Sequence, residues 1–376
     1  MHKIKVLQIN KLYYPVTGGV ERVVQQIAEG LNACTDMKVL VCQKKGKRAI
    51  EAVNGVEVHR AGSLGILFST PVSFDFFRQF QRLKKDRDIL HIHMPFPLAD
   101  AAVALFGFQG KIILWWHSDV VRQKLLLMFY RPLLHKLLKR ADLIIVATQG
   151  HIDGSDYLAA YREKCAVIPF GVDPMVLARY DPIGAAPCPP AAPVRFLFVG
   201  RLIYYKGCNV LLEAFSHVKG AELELIGDGS LEKSLKEQAA RLGLEDKVIW
   251  RGHVSDEELA KAFTGCDVFV LPSVEKSEAF GLVQIEAMAC GKPVINTALP
   301  SGVPYVSLDG VTGFTVPPGD AAALSAAMQK LVDSPCLRKQ FGMAAFRRAQ
   351  EEYSISKMLG RVMEQYEKLA GQGERA

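Results

Sequence analysis

The chain has 376 residues, 49% of them hydrophobic, and a formal net charge of +7. That composition is globular and the length predicts two domains; the mild basicity suits an anionic partner but does not imply nucleic acid, and none is expected. The eight cysteines stand singly, at 34, 42, 165, 188, 208, 266, 290 and 336, which excludes a zinc-spaced Cys/His cluster and fits a reducing cytoplasm.

The opening MHKIKVLQIN has too short an apolar run for a signal peptide. No stretch of about 18 uninterrupted apolar residues occurs, so no membrane-spanning helix is expected. The expected location is the cytoplasm, with peripheral attachment to the inner face of the plasma membrane as a further option.

In chain order, Lys3–Asn10 predicts a buried strand, then a Gly-containing loop and a helix from Val20. Further strands are predicted at Met37–Gln43, Val56–Arg60, Asp88–His93, Lys111–Trp116, Asp142–Ala147 and Cys165–Pro169, with helical patterns between most of them. That alternation means a parallel sheet covered on both faces. The Pro- and Ala-rich DPIGAAPCPPAAP, Asp181–Pro193, reads as an interdomain linker. The alternation then restarts, with strands at Arg195–Val199, Glu222–Ile226, Lys247–Arg251, Val268–Leu271, Pro293–Asn296 and Gly313–Val316. Ala344–Leu369 predicts one long amphipathic helix. Ligands of open α/β sheets bind at the carboxyl ends of strands, so two such units facing each other would form a cleft that holds the chemistry.

The motifs fall at those strand ends. YPVTGGVE, Tyr14–Glu21, places two glycines before a helix, either as a tight turn or as a phosphate contact; it is not GxGxxG. In VGRLIYYKG, Val199–Gly207, Arg201 and Lys206 leave a buried strand together, a pairing suited to a diphosphate; the alternative is two solvated loop charges. In SEAFGLVQIEAMACGKP, Glu278 precedes a helix start and Glu286 sits inside an apolar helix that Gly291 and Pro293 end. A carboxylate on a buried helix needs a partner or a ligand. Phe280, Gly281 and Leu282 would offer the unpaired N–H groups of that helix start.

LWWHSD, Leu114–Asp119, puts His117 at a strand end, with Asp119 placed to orient its imidazole; the alternative is a packed core histidine. His91 and His93 share one strand face, and with no third ligand nearby they read as polar lining of the cleft. Asp86-Arg87-Asp88 is a DxD that precedes its strand, a poor metal site. Gly227-Asp228-Gly229 reads as a tight turn first and a cleft-lining loop second. Residues 120–141 carry Arg122, Lys124, Arg131, Lys136, Lys139 and Arg140 among many leucines and no acid. Such a stretch can lie on anionic lipid, or be a core-facing helix with a solvated basic face.

The GG after the first strand, GRLIYYKG, the E-x7-E of Glu278 and Glu286, EAMACGKPV and GVTGFTVPPGD, in this order, resemble the retaining glycosyltransferases of family 4 across essentially the whole chain. The resemblance implies the GT-B fold: α/β, two Rossmann-like parallel-sheet domains facing each other across a cleft. Residues 1–180 would bind the acceptor, 181–193 link, 194–345 bind the nucleotide sugar, and 346–376 form a helix crossing back to the first domain. By resemblance, Gly18 and Gly19 approach the donor phosphates and sugar, Arg201 and Lys206 hold the diphosphate, Glu278 contacts the sugar and Glu286 the ribose. Phe280, Gly281 and Leu282 offer backbone N–H groups, Val254 lies in the base-holding loop, and His117 matches the family's histidine near the sugar. His117, Glu278, Arg201 and Lys206 are the implied catalytic set, with domain closure over the donor.

The implied reaction is hexose transfer from a GDP or UDP sugar with retention, without a cofactor or a DxD-held metal. General likeness points to bacterial enzymes that build surface polysaccharide or lipopolysaccharide on polyprenyl-diphosphate lipids, and to mannose as a candidate. The implied partners are the donor, a polyprenyl-linked or glycan acceptor, and an anionic membrane surface through 120–141. No family-wide acceptor motif marks the N-terminal domain. An epimerase of the same architecture is the alternative enzyme, and a non-catalytic binding protein the alternative class; a nicotinamide dehydrogenase would need the absent GxGxxG.

Overall fold

The computed structural model describes residues 3–16, 18–67, 70–119, 124–172 and 193–371, with the backbone alone for 124–129. Two compact units are drawn from residues 1–148, 155–171 and 355–376, and from residues 149–154 and 172–354.

The first unit holds β1 (Lys5–Ile9), β2 (Asp36–Cys42), β3 (Ala49–Val53), β4 (Val56–Ala61), β5 (Ile66–Leu67), β6 (Thr70–Pro71), β7 (Ile89–Met94), β8 (Lys111–Trp116), β9 (Leu143–Val146) and β10 (Cys165–Val167). Eight of them form one sheet in the order β10-β9-β8-β7-β1-β2-β4-β3. All pairings are parallel except β3 with β4. The central strands are near-continuous apolar runs because helices cover both faces; all six residues of β7 are buried. β3 and the β5–β6 hairpin were not expected from the sequence. AIEAV lies on an edge and is half exposed, so no strong hydrophobic period marks it.

The second unit holds β11 (Val194–Val199), β12 (Ala221–Ile226), β13 (Val248–Gly252), β14 (Val268–Val270), β15 (Val294–Thr297) and β16 (Gly313–Val316). They run parallel in the order β13-β12-β11-β14-β15-β16. Phe196, Phe198, Leu211, Leu223, Ile295 and Met328 anchor its core. Strand order reverses between β11 and β14, so the connections leaving these neighbours run to opposite faces and leave a crevice at their carboxyl ends.

Two expectations change, the single C-terminal helix and the unbroken first domain. The single helix expected over 344–369 is two, Pro335–Glu352 and Ile355–Gly371. The chain breaks at Tyr353 (φ −116°, ψ 19°), whose carbonyl accepts the Val172 N–H at 2.7 Å and whose buried hydroxyl donates to Tyr305 O at 3.2 Å. The final helix belongs to the first unit, with Met358, Val362 and Tyr366 buried. Residues 149–154 belong to the second unit although their neighbours on both sides belong to the first. The linker expected at 181–193 lies outside the described residues except for Pro193.

The basic stretch also resolves in part. Residues 120–123 and the side chains of 124–129 lie outside the described residues. The rest of the helix Lys124–Arg140 buries Leu134, Leu137 and Leu138 and exposes Arg131, Lys136, Lys139 and Arg140. That half is a core-facing helix with a solvated basic face. Among the described residues no helix is long and apolar enough to cross a membrane.

Tyr366 is fully buried, and its hydroxyl lies 2.6 Å from His91 Nδ1 on β7. Tyr366→Ala is expected to cost about 3–5 kcal/mol, measured as a lower denaturant midpoint. An unchanged midpoint would show that the final helix adds nothing to the first unit's stability.

Candidate active site

The second unit assembles its site from the loops that leave β11 and β14. The first loop ends in a 3-10 turn, Tyr204–Lys206, and passes through Gly207 at φ +68°. A Cβ there would lie 2.0 Å from the carbonyl oxygen of Pro272, in the second loop, so only glycine lets the two backbones meet this closely. The Val274 N–H also donates to Tyr205 O at 2.8 Å. Lys206 and Glu278 are thereby brought together, Nζ to Oε2 at 2.5 Å, with each side chain 11% exposed. Ser273 Oγ, itself fully buried, donates to the same carboxylate oxygen at 3.1 Å. Arg201 stays exposed beside them, and its Nη2 donates to Tyr205 Oη at 3.1 Å.

The second loop runs into the helix Leu282–Ala289 through Gly281, whose φ of +72° makes it a left-handed N-cap. As at any helix start, the first N–H groups have no intrahelical carbonyl to bond, and the dipole favours an anion there. The turn is fixed from below by a buried polar network. Gln284 Nε2 donates to Phe280 O at 3.0 Å, Asn296 Nδ2 to Gln284 Oε1 at 2.9 Å, and Thr315 Oγ1 to Asn296 Oδ1 at 2.7 Å. Ile285, Ala287, Met288, Ala289 and Cys290 are buried, while Glu286 is half-buried one turn beyond the start. Val254 is half-buried after β13, just ahead of Ser255, which caps the helix Asp256–Gly265 in a capping box.

In the first unit Gly18 is the N-cap of the helix Gly19–Leu31, so the two glycines open a helix as expected. His117 is buried, and Asp119 does not orient its imidazole. Asp119 accepts from Trp116 Nε1 at 2.9 Å, Ser155 Oγ at 2.7 Å and the Asp156 N–H at 3.1 Å. His117 Nε2 faces His93 Nδ1 at 2.9 Å instead, and His93 Nε2 faces Gln8 Nε2 at 2.8 Å. The chain of contacts crosses β1, β7 and the end of β8. Trp115 and Phe170 stack on these rings, and Trp115 also stacks on His91. His91 and His93 are therefore core groups and not the cleft lining expected from their spacing. Burial lowers His91 to about 3 and holds His93 well below its ordinary value, where coupling to His91 and His117 also disfavours a proton. In the DxD, Asp86 pairs with Arg87 at 2.7 Å and Asp88 accepts the Lys5 N–H at 2.8 Å. Among the described residues no group of three or more His, Cys, Asp or Glu is placed to hold a metal ion.

The chain matches two families, Glycosyltransferase Family 4 over residues 17–175 and Glycosyl transferases group 1 over residues 189–348. It is 34% identical to the D-rhamnosyltransferase WbpZ of Pseudomonas aeruginosa, over 91% of this chain and 90% of that protein. The chain belongs to the family 4 glycosyltransferases. It is also 30% identical to the O-antigen chain mannosyltransferase C of Escherichia coli, over 96% of this chain and 98% of that one. The fold is GT-B; the Anabaena protein HepE in complex with UDP superimposes with a TM-score of 0.77 at 19% identity, over 97% of this chain and all of that one. These relatives give no support to the epimerase alternative.

Two groups of this glycosyltransferase escaped sequence reasoning. Gln8 and His93 were missed as partners of His117, because pairing across three strands is invisible to spacing along one. Asp100 was missed inside the helix Pro97–Phe106. It is 1% exposed, accepts from the Tyr130 hydroxyl, and is raised to about 7, mainly by burial. The signal was available, a lone acid in the apolar run PLADAAVALF, and it is the one that drew notice to Glu286.

An amide nitrogen facing an imidazole nitrogen donates to it. Gln8 donating in this way would leave His93 protonated on Nδ1 and donating to His117 Nε2, with the His117 proton on Nδ1. Two-bond 1H–15N spectra of histidine-labelled protein are expected to show His117 as the Nδ1–H tautomer. His93→Gln, which can still accept from Gln8 and donate to His117, is expected to keep it. His93→Leu is expected to lose it and to cost about 1–3 kcal/mol for the unpaired buried amide. An Nε2–H tautomer in the parent protein would refute the relay.

Proposed function

We propose that this glycosyltransferase moves a hexose, with mannose the favoured sugar, from a GDP- or UDP-hexose to a polyprenyl-linked or glycan acceptor, with retention at the anomeric carbon. It would act at the inner face of the plasma membrane as a peripheral protein. The names of its relatives support the class: one is a rhamnosyltransferase and one an O-antigen chain mannosyltransferase. HepE, of the same fold, was solved with UDP.

The observation that carries the reading is the buried Lys206–Glu278 pair at the β11/β14 crevice, beside the start of the helix Leu282–Ala289. When the donor arrives, Lys206 exchanges Glu278 for a diphosphate oxygen, and Arg201 adds a second cation at the rim. Glu278, released, accepts from the sugar hydroxyls. The N–H groups at Phe280, Gly281 and Leu282 meet sugar and phosphate, and Glu286 reaches the ribose. Val254 holds the base. In the first unit, Gly18, Gly19 and His117 are the residues this reading assigns to the donor. Negative charge grows on the departing diphosphate, so Lys206, Arg201 and the helix start act most strongly in the transition state.

A donor panel, assayed by nucleotide release with a polyprenyl-linked acceptor pool, tests the reaction. Transfer from a GDP- or UDP-hexose is the expected result, and isomerisation of the donor without transfer would overturn it. Lys206→Ala is expected to lower kcat by about 100-fold; a parental rate would remove Lys206 from the phosphate site. Glu286→Ala is expected to weaken donor binding about tenfold or more, read by calorimetry, with a smaller change in kcat. Unchanged donor affinity would end the ribose assignment.

A further inference from the structure

The first unit has a switch point of its own. Strand order reverses between the neighbours β1 and β7, so the connections leaving them run to opposite faces and open a crevice at their carboxyl ends. Lys11 lies in the loop that leaves β1, and Asp100 lies in the helix Pro97–Phe106 that follows β7. Glu21 stands in the first turn of the helix Gly19–Leu31. The charges of Glu21 and Asp100 both act on the Lys11 ammonium.

These groups leave bonds unmade. Asp100 is 1% exposed. Its Oδ2 accepts from the Tyr130 hydroxyl, while its Oδ1 has no hydrogen-bond partner among the described residues. Lys11 is half-buried and makes no ion pair among the described residues. Burial lowers its pKa, against the opposing pull of Glu21 and Asp100. A buried carboxylate oxygen and a partly desolvated ammonium are each costly when left unsatisfied. The bond to Tyr130 ties the helix Pro97–Phe106 to the helix Lys124–Arg140, and that structural role uses Oδ2 alone.

We propose that Lys11 and Asp100 together select the acceptor by binding one of its sugar hydroxyls, with the ammonium donating to the hydroxyl oxygen and the hydroxyl hydrogen donated to Asp100 Oδ1. The charges choose this ligand class. A phosphate would meet the carboxylates of Asp100 and Glu21, and a cation would meet Lys11. A neutral hydroxyl, donor and acceptor at once, satisfies both partners. Placement chooses the acceptor: Glu21 belongs to the helix that Gly18 and Gly19 open, so the pair lies beside the glycines given to the donor above and outside the donor's own set. The inference rests on the transferase reading above and adds to it the residues that discriminate among acceptors.

The test is the transfer kinetics of the full chain with a GDP- or UDP-hexose and the polyprenyl-linked acceptor pool, for the parent, Asp100→Asn, Lys11→Met and the double variant. Asparagine keeps an oxygen for Tyr130 and puts an NH2 group, which cannot accept, in place of Oδ1. Asp100→Asn is expected to raise the apparent KM for acceptor about tenfold or more, with a smaller change in kcat and parental donor affinity by calorimetry. Lys11→Met is expected to act in the same direction. The double variant is expected to lose little beyond either single one, because both residues bind one hydroxyl. Unfolding temperatures report the fold of each variant; should one single variant fail to fold, the other carries the test. A parental acceptor KM in the folded variants reduces Asp100 to a tie for Tyr130 and overturns the proposal. So does weakened donor affinity with the acceptor KM unchanged, which would put the hydroxyl on the donor. A parent that transfers no hexose overturns the transferase reading and this inference with it, whereas transfer by a parent whose variants keep its acceptor KM overturns this inference alone.

Discussion

Lys206 and Glu278 meet at 2.5 Å with about nine-tenths of each side chain hidden from water. Removing two charges from water is costly, and only close geometry with further hydrogen bonds offsets it. Ser273 supplies one such bond. A buried pair of this kind adds little net stability, so its physical consequence lies elsewhere. It holds a cation and an anion together at one crevice, at the carboxyl ends of β11 and β14.

That pair exists because of backbone geometry and not side-chain reach. The two loops leave neighbouring strands on either side of the point where strand order reverses. Gly207 lets one loop approach the other, and Gly281 turns the second loop into a helix. Below them, buried Gln284 and Asn296 and half-buried Thr315 bond to one another. Each member is held by hydrogen bonds, which is the condition under which buried polar groups rigidify a site. The helix start is thus aimed by a network whose centre, Gln284 and Asn296, is buried.

The first unit follows a different logic. Its polar groups form a line across neighbouring strands, from Gln8 through His93 to His117, under stacked Trp115 and Phe170. Neutral imidazoles in such a line must pass one proton orientation from each ring to the next. The histidine at the end of β8 is then set by a glutamine two strands away in the core. The final helix closes this column from one end through Tyr366 and His91, although it follows the whole second unit in the chain.

The sequence by itself determined the alternation of strands and helices, most strand positions within a residue or two, the placement of Arg201, Lys206 and Glu278 in loops that follow strands, and that of Glu286 inside a helix. Those features are local: a strand buried on both faces must be apolar along its length, and the helix at 282–289 must start and stop where glycine allows. Only the tertiary structure decided that Lys206 pairs with Glu278, that His117 answers to His93 and not to Asp119, and that the expected helix over 344–369 breaks at Tyr353. It also decided that Leu134, Leu137 and Leu138 of the basic helix face a core. Each of these depends on contacts between residues far apart in the chain. Periodicity and spacing report the environment of a residue along its own element, and say nothing of which group stands opposite it.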